Sequence, residues 1–379
     1  MAAGKLWEWG MYSQNELDEA VAAGAITADA AASLRAHMER QHMSPTVDEE
    51  QFRLLTGFND IFVSIAAAIL LFSVAWIGQR IGEGLGLSIE TDGPSPIGPL
   101  AVALTAWGLA LFFTAKRRMA LPSIILLLAF VGGVFATVAF SVALAIGPDQ
   151  LDNNEAIAGV LAAVAAAAAA GAAWLHWRRF RVPITIAAGA LSVAGIALAL
   201  LVSVLGENVE TSRDLILGFV LALGIGTFLF AMWWDGSDRA RVTRRSDVAF
   251  WLHLLAAPMI VHPIFTLLGL NDGDATIGEG LVVVLLYIVI GITALAIDRR
   301  ALLVSALAYV LWALSDMFER FGAVELNVAL TAFIIGGSLL LLSAFWAQAR
   351  ATVVGPMPEG LRERLPIVNR ARITAQPAG

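Results

Sequence analysis

The chain has 379 residues, of which 59% are hydrophobic and only 15% are charged, so a water-soluble globular fold is excluded. The net charge of -7 excludes the strongly basic surface that binding to nucleic acid requires, and no nucleic-acid partner is expected. The absence of cysteine excludes disulfides, thiolate catalysis and iron–sulfur ligation.

Residues 1–43 are predicted to form a small cytoplasmic helical hairpin. Ser13 and Glu16 form the S-x-x-E pattern of a capped helix start. Gly24 ends that helix, and Thr27 caps a second helix that runs towards Gln41. Apolar stripes mark the two helices: Leu17 and Val21 on the first, and Ile26, Ala30, Leu34 and Met38 on the second. Because about 40 residues are too few for a stable core, we expect residues 13–41 to pack on a protein partner, on a second copy of the chain or on the membrane domain.

A family resemblance rests on this N-terminal region. The run from Leu17 to Leu34 has the pivot Gly24-Ala25-Ile26-Thr27 and is followed, after a short linker, by spans rich in Ala and Leu. This arrangement resembles the bacterial membrane proteins grouped as the domain-of-unknown-function family 2157. The resemblance covers about the first 80 residues and implies a bacterial integral membrane protein with no established activity.

Residues 44–60 are predicted to be a linker followed by an interfacial segment. Phe52 and Phe58 are expected to enter the lipid surface. Asn59 and Asp60 are expected to cap the first span, because a carboxylate there faces the positive end of the helix. The first apolar run begins only near Ile61 and follows an acidic segment, so no cleaved signal peptide is expected.

Residues 61–347 are predicted to form an all-α bundle of ten transmembrane helices in the lipid bilayer. Apolar runs near 20 residues suffice, at ~1.5 Å rise per residue, for a helix to cross a ~30 Å hydrocarbon layer. The predicted spans are 61–79, 97–115, 120–146, 156–175, 182–205, 215–234, 248–270, 277–297, 301–318 and 326–347.

The distribution of positive charge predicts the orientation of these spans. All but three of the 24 Lys and Arg residues fall on one side of the ten-span arrangement, and the exceptions are Arg80, Arg213 and Arg320. Basic residues that flank spans favour the cytoplasm. We therefore predict a multi-pass membrane protein with both termini in the cytoplasm and a cytoplasmic tail over residues 348–379. The resemblance to family 2157 implies that this membrane is the bacterial inner membrane.

Small residues predict where helices approach closely. Residues 161–173 are almost entirely Ala, so the fourth span is expected to be central and tightly packed. Gly218, Ala222 and Gly226 have the same small-xxx-small spacing on the sixth span. Trp107, inside the second span, is expected to be a packing residue.

Polar and ionisable side chains within or at the ends of the spans form the candidate functional set, because placing such groups in lipid is costly. The set consists of His253, His262, Glu279, Asp316 and Asn327. The two histidines are nine positions apart in the sequence, which at ~100° per residue puts them on opposite helix faces. We therefore expect no shared metal, and no other cofactor is predicted.

Two of these residues carry a specific hypothesis. His262 and Asp316 are predicted at similar depth in the outer half of the bundle, where a His–carboxylate pair could exchange protons near neutral pH. Alternatively, His262 bonds a carbonyl that Pro263 leaves without a donor. His253, next to Trp251, is expected at the membrane interface.

Two function classes stay open at this stage. The favoured class is a non-enzymatic scaffold or sensor that uses residues 13–41 as a cytoplasmic interaction hairpin. The alternative is a secondary transporter of a small-molecule ligand, coupled to protons through His262 and Asp316. Ten spans divide into two inverted sets of five, as in many carriers. An enzyme is not expected, because no nucleophile–base pair or carboxylate pair has a suggestive spacing.

Overall fold

The structure, a computed structural model, divides the chain into two compact units, residues 1–51 and 52–379. Most of the predicted hairpin and the linker, over residues 1–19 and 35–57, lies outside the described residues. The described residues are 20–34, 58–90, 93–147, 150–151, 153–239, 241, 243–269, 277–300, 302–303, 307, 311, 327–363 and 365–366.

The described part of the first unit contains the turn between its two helical segments. Gly24 has φ +72°, a left-handed conformation that favours glycine, and so ends the first segment. Thr27 Oγ1 accepts a hydrogen bond of 3.1 Å from the backbone N–H of Ala30, which confirms Thr27 as the predicted helix cap. On the second segment Ala31 is completely buried, whereas Ala30 and Leu34 of the predicted stripe are exposed.

The described residues of the second unit form a bundle of helices, with two short 3₁₀ turns between α5 and α6. The helices are α1 (Phe58–Gly84), α2 (Ile97–Phe113), α3 (Ala120–Ile146), α4 (Glu155–Phe180), α5 (Ile184–Leu205), α6 (Arg213–Gly236), α7 (Arg244–Leu267), α8 (Ile277–Ile297), α9 (Asn327–Ala344), α10 (Trp346–Val354) and α11 (Glu359–Arg362).

Six of these helices are long and apolar enough to cross a membrane. They are α1 and α3 to α7; α9 and α10, bent by 76° at their junction, make a seventh candidate if they are counted as one span. α2 and the apolar part of α8 are shorter. These numbers refer to the described residues, and the predicted ninth span, 301–318, lies largely outside them. A polytopic helical membrane protein is therefore supported, whereas the number ten stays a prediction.

The first turn of α1 differs from the predicted cap. The helix begins at Phe58, so Asn59 and Asp60 belong to its first turn rather than preceding it. Asp60 is buried, with 2% of its surface exposed. The carboxylate still lies at the positive end of the helix dipole, where a negative charge is stabilising.

The Ala-rich helix α4 packs closely against α5, as its composition predicts. A Cβ atom on Gly159 would lie 2.6 Å from the backbone nitrogen of Ser203 and 2.7 Å from the carbonyl oxygen of Ala199. Ser203 Oγ donates a hydrogen bond of 2.9 Å to the carbonyl oxygen of Ala156. Small side chains thus let the two backbones approach and gain dispersion contacts that lipid alone does not provide.

Among the described residues, the predicted small-residue stripe on α6 does not form a close helix contact. A Cβ on Gly218 or Gly226 would meet none of their heavy atoms within 4 Å. The close approach to α7 occurs at Gly224 instead, where a Cβ would lie 2.8 Å from the carbonyl group of Met259. Because α6 has small residues on more than one face, their spacing alone does not identify the face that the neighbouring helix covers.

Candidate functional site

Charged side chains are buried together where α6 and α8 end. Asp235 is in the last turn of α6, and Arg299 follows the end of α8; 1% and 2% of their surfaces are exposed. His253 of α7 is completely buried between them. We call the group formed by Asp235, Arg241, His253, Asp298, Arg299 and Arg350 the ionic cluster.

Asp235 is the centre of one half of this cluster. Arg299 donates from Nη2 to Asp235 Oδ1 at 2.5 Å and from Nε to Oδ2 at 3.2 Å. This two-pronged pairing is the strongest arrangement available to an arginine and a carboxylate. His253 Nε2 lies 3.0 Å from Oδ2, and Arg241 Nε lies 3.9 Å from Oδ1. Both carboxylate oxygens are therefore engaged by groups of the same chain.

Asp298 is the centre of the other half. It immediately follows α8 and has φ +57°, a left-handed conformation that Asp tolerates better than most residues. Its carboxylate accepts hydrogen bonds from Arg241 Nη1 at 2.9 Å and from Trp346 Nε1 at 2.8 Å. Arg350 Nε lies 3.7 Å from the same carboxylate. Asp298 thus connects the end of α8 to α10.

The arginines also cap the C-terminus of α8. Arg241 Nη2 donates to the carbonyl oxygen of Ile297 at 2.8 Å, and Arg350 Nε donates to that of Leu295 at 3.1 Å. The last carbonyls of a helix lack intrahelical donors and carry roughly half a negative charge. Three arginines therefore face two carboxylates together with the negative ends of α6 and α8, so the charges of the cluster are close to balanced.

Two arginines extend the network to the C-terminal segment. Arg350 Nη2 donates to the carbonyl oxygen of Pro366 at 2.7 Å. Arg239 donates to the carbonyl oxygens of Leu365 and Arg362, both at 3.2 Å. The segment around residues 362–366 is consequently tied to the ends of α6 and α8.

Of the predicted site residues whose side chains are described, His253 and His262, only His253 belongs to the ionic cluster. The sequence predicts it at the membrane interface, but its ring is completely buried against Phe228 and Asp235. A neutral ring with its proton on Nε2 donates to Asp235 and leaves only a lone pair on Nδ1, which is buried and has no hydrogen-bond partner among the described residues. The acidic partner explains why a histidine can be buried here.

The other predicted site residues are not brought together in the described part of the chain. His262 is exposed on α7, and the burial of His253 confirms that the two histidines occupy opposite faces. Glu279 and Asn327 lie in the first turns of α8 and α9, and their side chains are outside the described residues. Asp316 is also outside them.

Sequence reasoning missed five members of the ionic cluster. It used the arginines only as markers of orientation and ended the sixth span at Trp234, one residue before Asp235. A usable signal was present, because Asp235, Asp238 and Asp298 are acidic residues at the arginine-rich ends of the apolar helices. Acidic residues in that position need basic partners if they are buried.

A second buried histidine has an aromatic environment. His176 near the end of α4 is completely buried, and its Nδ1 lies 3.2 Å from Thr185 Oγ1. The ring of Phe180 is centred 4.6 Å away, and Trp107 contacts both rings. These contacts confirm Trp107 as a packing residue. No set of three or more His, Asp or Glu residues in the described ranges could hold a metal ion.

No family model, curated protein or solved structure matches this chain.

Proposed function

We propose that the chain is a non-enzymatic scaffold or sensor of the bacterial inner membrane, with residues 13–41 as its cytoplasmic interaction hairpin. The ionic cluster carries the proposal. Its arginines bond carboxylates and backbone carbonyls of the same chain, so they hold helix ends and the C-terminal segment instead of facing a substrate.

The proposal includes ten spans with both termini in the cytoplasm. The charge distribution supports it, and so does the direction of α9. Ser343 near the end of α9 accepts from Arg300, which follows α8, and Ile335 of α9 belongs to the same buried apolar cluster as Val283 in the first half of α8. Both observations favour a parallel arrangement of α8 and α9, which is the arrangement that ten spans require of these two helices. The resemblance to family 2157 stays an expectation.

Site-specific photocrosslinking in cells tests the scaffold role. A photoreactive amino acid replaces Leu34, which is 38% exposed in the hairpin, and in a matched control replaces Leu361, which is 48% exposed on α11. We expect a discrete adduct from position 34 and none from position 361. Equal adducts from both positions, or none from either, would contradict an interaction hairpin.

A proton-coupled transporter is the second candidate, and the His253–Asp235 contact favours it. A buried histidine paired with a carboxylate inside a helical bundle is the arrangement that proton relays use. Asp316 lies outside the described residues, so the pair predicted from the sequence, His262 and Asp316, stays a prediction. The transport proposal assigns the proton site first to His253 and Asp235, whose contact is described.

Flux measurements in proteoliposomes separate the two candidates. A pH-sensitive dye is enclosed, fractionated bacterial metabolites are added outside, and wild type is compared with His253→Gln, His262→Ala and Asp316→Asn. Transport through the ionic cluster predicts a substrate-dependent pH change that His253→Gln abolishes. The scaffold proposal predicts no pH change with any fraction.

A further inference from the structure

An apolar groove lies between α1, α2 and α3, close to the C-terminal end of α1. Its volume is about 420 Å³, within the ~300–1,000 Å³ range of ligand pockets. Phe72 and Trp76 of α1 form one wall, and Val102 of α2 and Phe140 of α3 form the other. Its floor includes the backbone at Gly133, where a Cβ would lie 2.8 Å from the carbonyl oxygen of Pro99.

One positive and one negative side chain contact residues that line this groove. Arg80 stacks over Trp76 with its guanidinium 5.0 Å from the ring centre, and its Nη1 lies 2.8 Å from Glu83 Oε2. Gln79, which lines the groove, donates to Glu83 Oε1 at 3.0 Å and to the carbonyl oxygen of Gly93 at 2.9 Å. The Arg80 side chain is 62% exposed and that of Glu83 24% exposed. A cation and an anion are therefore held side by side next to the groove, and the cation is the more exposed of the two.

We propose that this groove binds one phospholipid with a zwitterionic ethanolamine headgroup. An acyl chain fills the groove, the phosphate accepts hydrogen bonds from Arg80, and the ammonium donates to Glu83. α1 and α3 are apolar enough to span a membrane, so the groove opens to hydrocarbon, where an acyl chain is the available apolar ligand. Trp76 marks the interface depth at which headgroups lie.

The charge pair selects among headgroups. A phosphoglycerol headgroup offers Arg80 a phosphate but has no cation for Glu83, and a choline headgroup has a cation without N–H donors. The inference rests on the membrane location of α1, α2 and α3. It is independent of the scaffold and transport proposals, because it uses neither the hairpin nor the ionic cluster.

Native mass spectrometry of the detergent-purified full chain tests this site. Phosphatidylethanolamine, phosphatidylglycerol and phosphatidylcholine are added in turn, and the fraction of protein that retains one lipid is measured. We expect phosphatidylethanolamine to be retained best. Arg80→Gln should weaken its retention roughly tenfold, the loss that one charge-assisted hydrogen bond supports. Glu83→Gln should remove the preference over phosphatidylglycerol.

Filling the groove provides a second, independent variant. Val102→Phe should abolish retention, whereas Leu104→Phe, at a 66% exposed position of α2 outside the groove, should not. Arg213→Gln is the matched control for Arg80→Gln, since Arg213 is exposed at the start of α6. If Val102→Phe does not fold, Arg80→Gln and Glu83→Gln still test whether the groove binds the lipid.

Three results would overturn the proposal. The first is equal retention of phosphatidylethanolamine and phosphatidylglycerol by the wild type, and the second is equal retention by Val102→Phe and Leu104→Phe. The third is a dimer that Val102→Phe dissociates, because a second copy of the chain would then occupy the groove.

Discussion

The ionic cluster depends most strongly on one side chain, Asp235. It accepts from His253 and from two atoms of Arg299, all of them buried. Asp235→Ala would leave the Arg299 charge buried without its partner, so we expect the free energy of unfolding to fall by about 3–5 kcal/mol. Unfolding in detergent measures this, with Asp214→Ala on the exposed first turn of α6 as the control.

A double variant shows whether the loss of stability comes from an unpaired buried charge or from lost packing contacts. Removing both charges with Asp235→Leu and Arg299→Met replaces the pair by apolar side chains, which is often nearly neutral for stability. We therefore expect the double variant to be more stable than Asp235→Leu alone. A double variant that is less stable than either single variant would mean that the cluster stabilises the fold through contacts other than this pair.

Asp298 has a left-handed backbone conformation and a carboxylate that bridges two side chains. Two substitutions separate the contributions of these features to stability. Asp298→Gly keeps the conformation but loses the bonds to Arg241 and Trp346. Asp298→Ala loses the same bonds and adds the cost of a Cβ at positive φ, about 1 kcal/mol. We expect the melting temperature to fall in the order wild type, Asp298→Gly, Asp298→Ala. Equal melting temperatures for the Gly and Ala variants would contradict a strained position.

At the scale of elements, the contact between α6 and α7 depends on the absence of a side chain at Gly224. Gly224→Ala would place a Cβ against the Met259 carbonyl group, so we expect overpacking to cost about 1–3 kcal/mol. Gly226→Ala, two residues further along α6, meets open space and should leave the melting temperature nearly unchanged. Thermal unfolding of the two variants in the same detergent makes the comparison.

The helices themselves were largely predictable from the sequence. The bounds of α3 and α8 coincide with the predicted runs 120–146 and 277–297, because each run is apolar and bounded by charge or Gly. α4 continues five residues beyond its predicted end at 175, through Trp177 and Arg178. Long basic side chains reach the interface from within a helix, so the end of an apolar run underestimates the end of the helix.

The ionic cluster was not predictable in the same way. Asp235 and Arg299 are 64 residues apart, and no periodicity relates their positions. The packing of α7 against α6 brings His253 to Asp235, and Arg299 directly follows the left-handed residue Asp298. The sequence identifies acidic residues among the arginines, but tertiary packing decides which of them are buried and paired.

At the scale of the whole molecule, the ionic cluster joins parts of the chain that are distant in sequence. Side chains of the cluster bond the ends of helices and so connect four parts of the chain: α6, α8, α10 and the segment around residues 362–366. In a bilayer the hydrophobic effect contributes little to helix association, so polar contacts of this kind and close backbone packing must hold the bundle together. The C-terminal segment is thus part of the folded bundle, and truncation before Arg350 should destabilise it.

Single-cysteine labelling tests the orientation of the whole bundle, and the native absence of cysteine removes any background. Intact cells are treated with a membrane-impermeant maleimide. Glu207→Cys, between α5 and α6, should react, whereas Arg178→Cys and Arg244→Cys, one span away on either side, should react only after permeabilisation. All three side chains are exposed, so differences in labelling report sidedness.

The same labelling tests the number of spans, because ten spans require α8 and α9 to run in the same direction. If the chain between them crosses the membrane, Glu325→Cys should react in intact cells and Leu361→Cys should not. Protection of both cysteines would mean that residues 301–326 stay on the arginine-rich side, and the ten-span prediction would be wrong. Arg350 bonds both Pro366 of the C-terminal segment and the end of α8, so this segment and the end of α8 should lie on the same side of the membrane. Reaction at Leu361→Cys together with protection at Arg244→Cys would place the C-terminal segment outside and would contradict this arrangement.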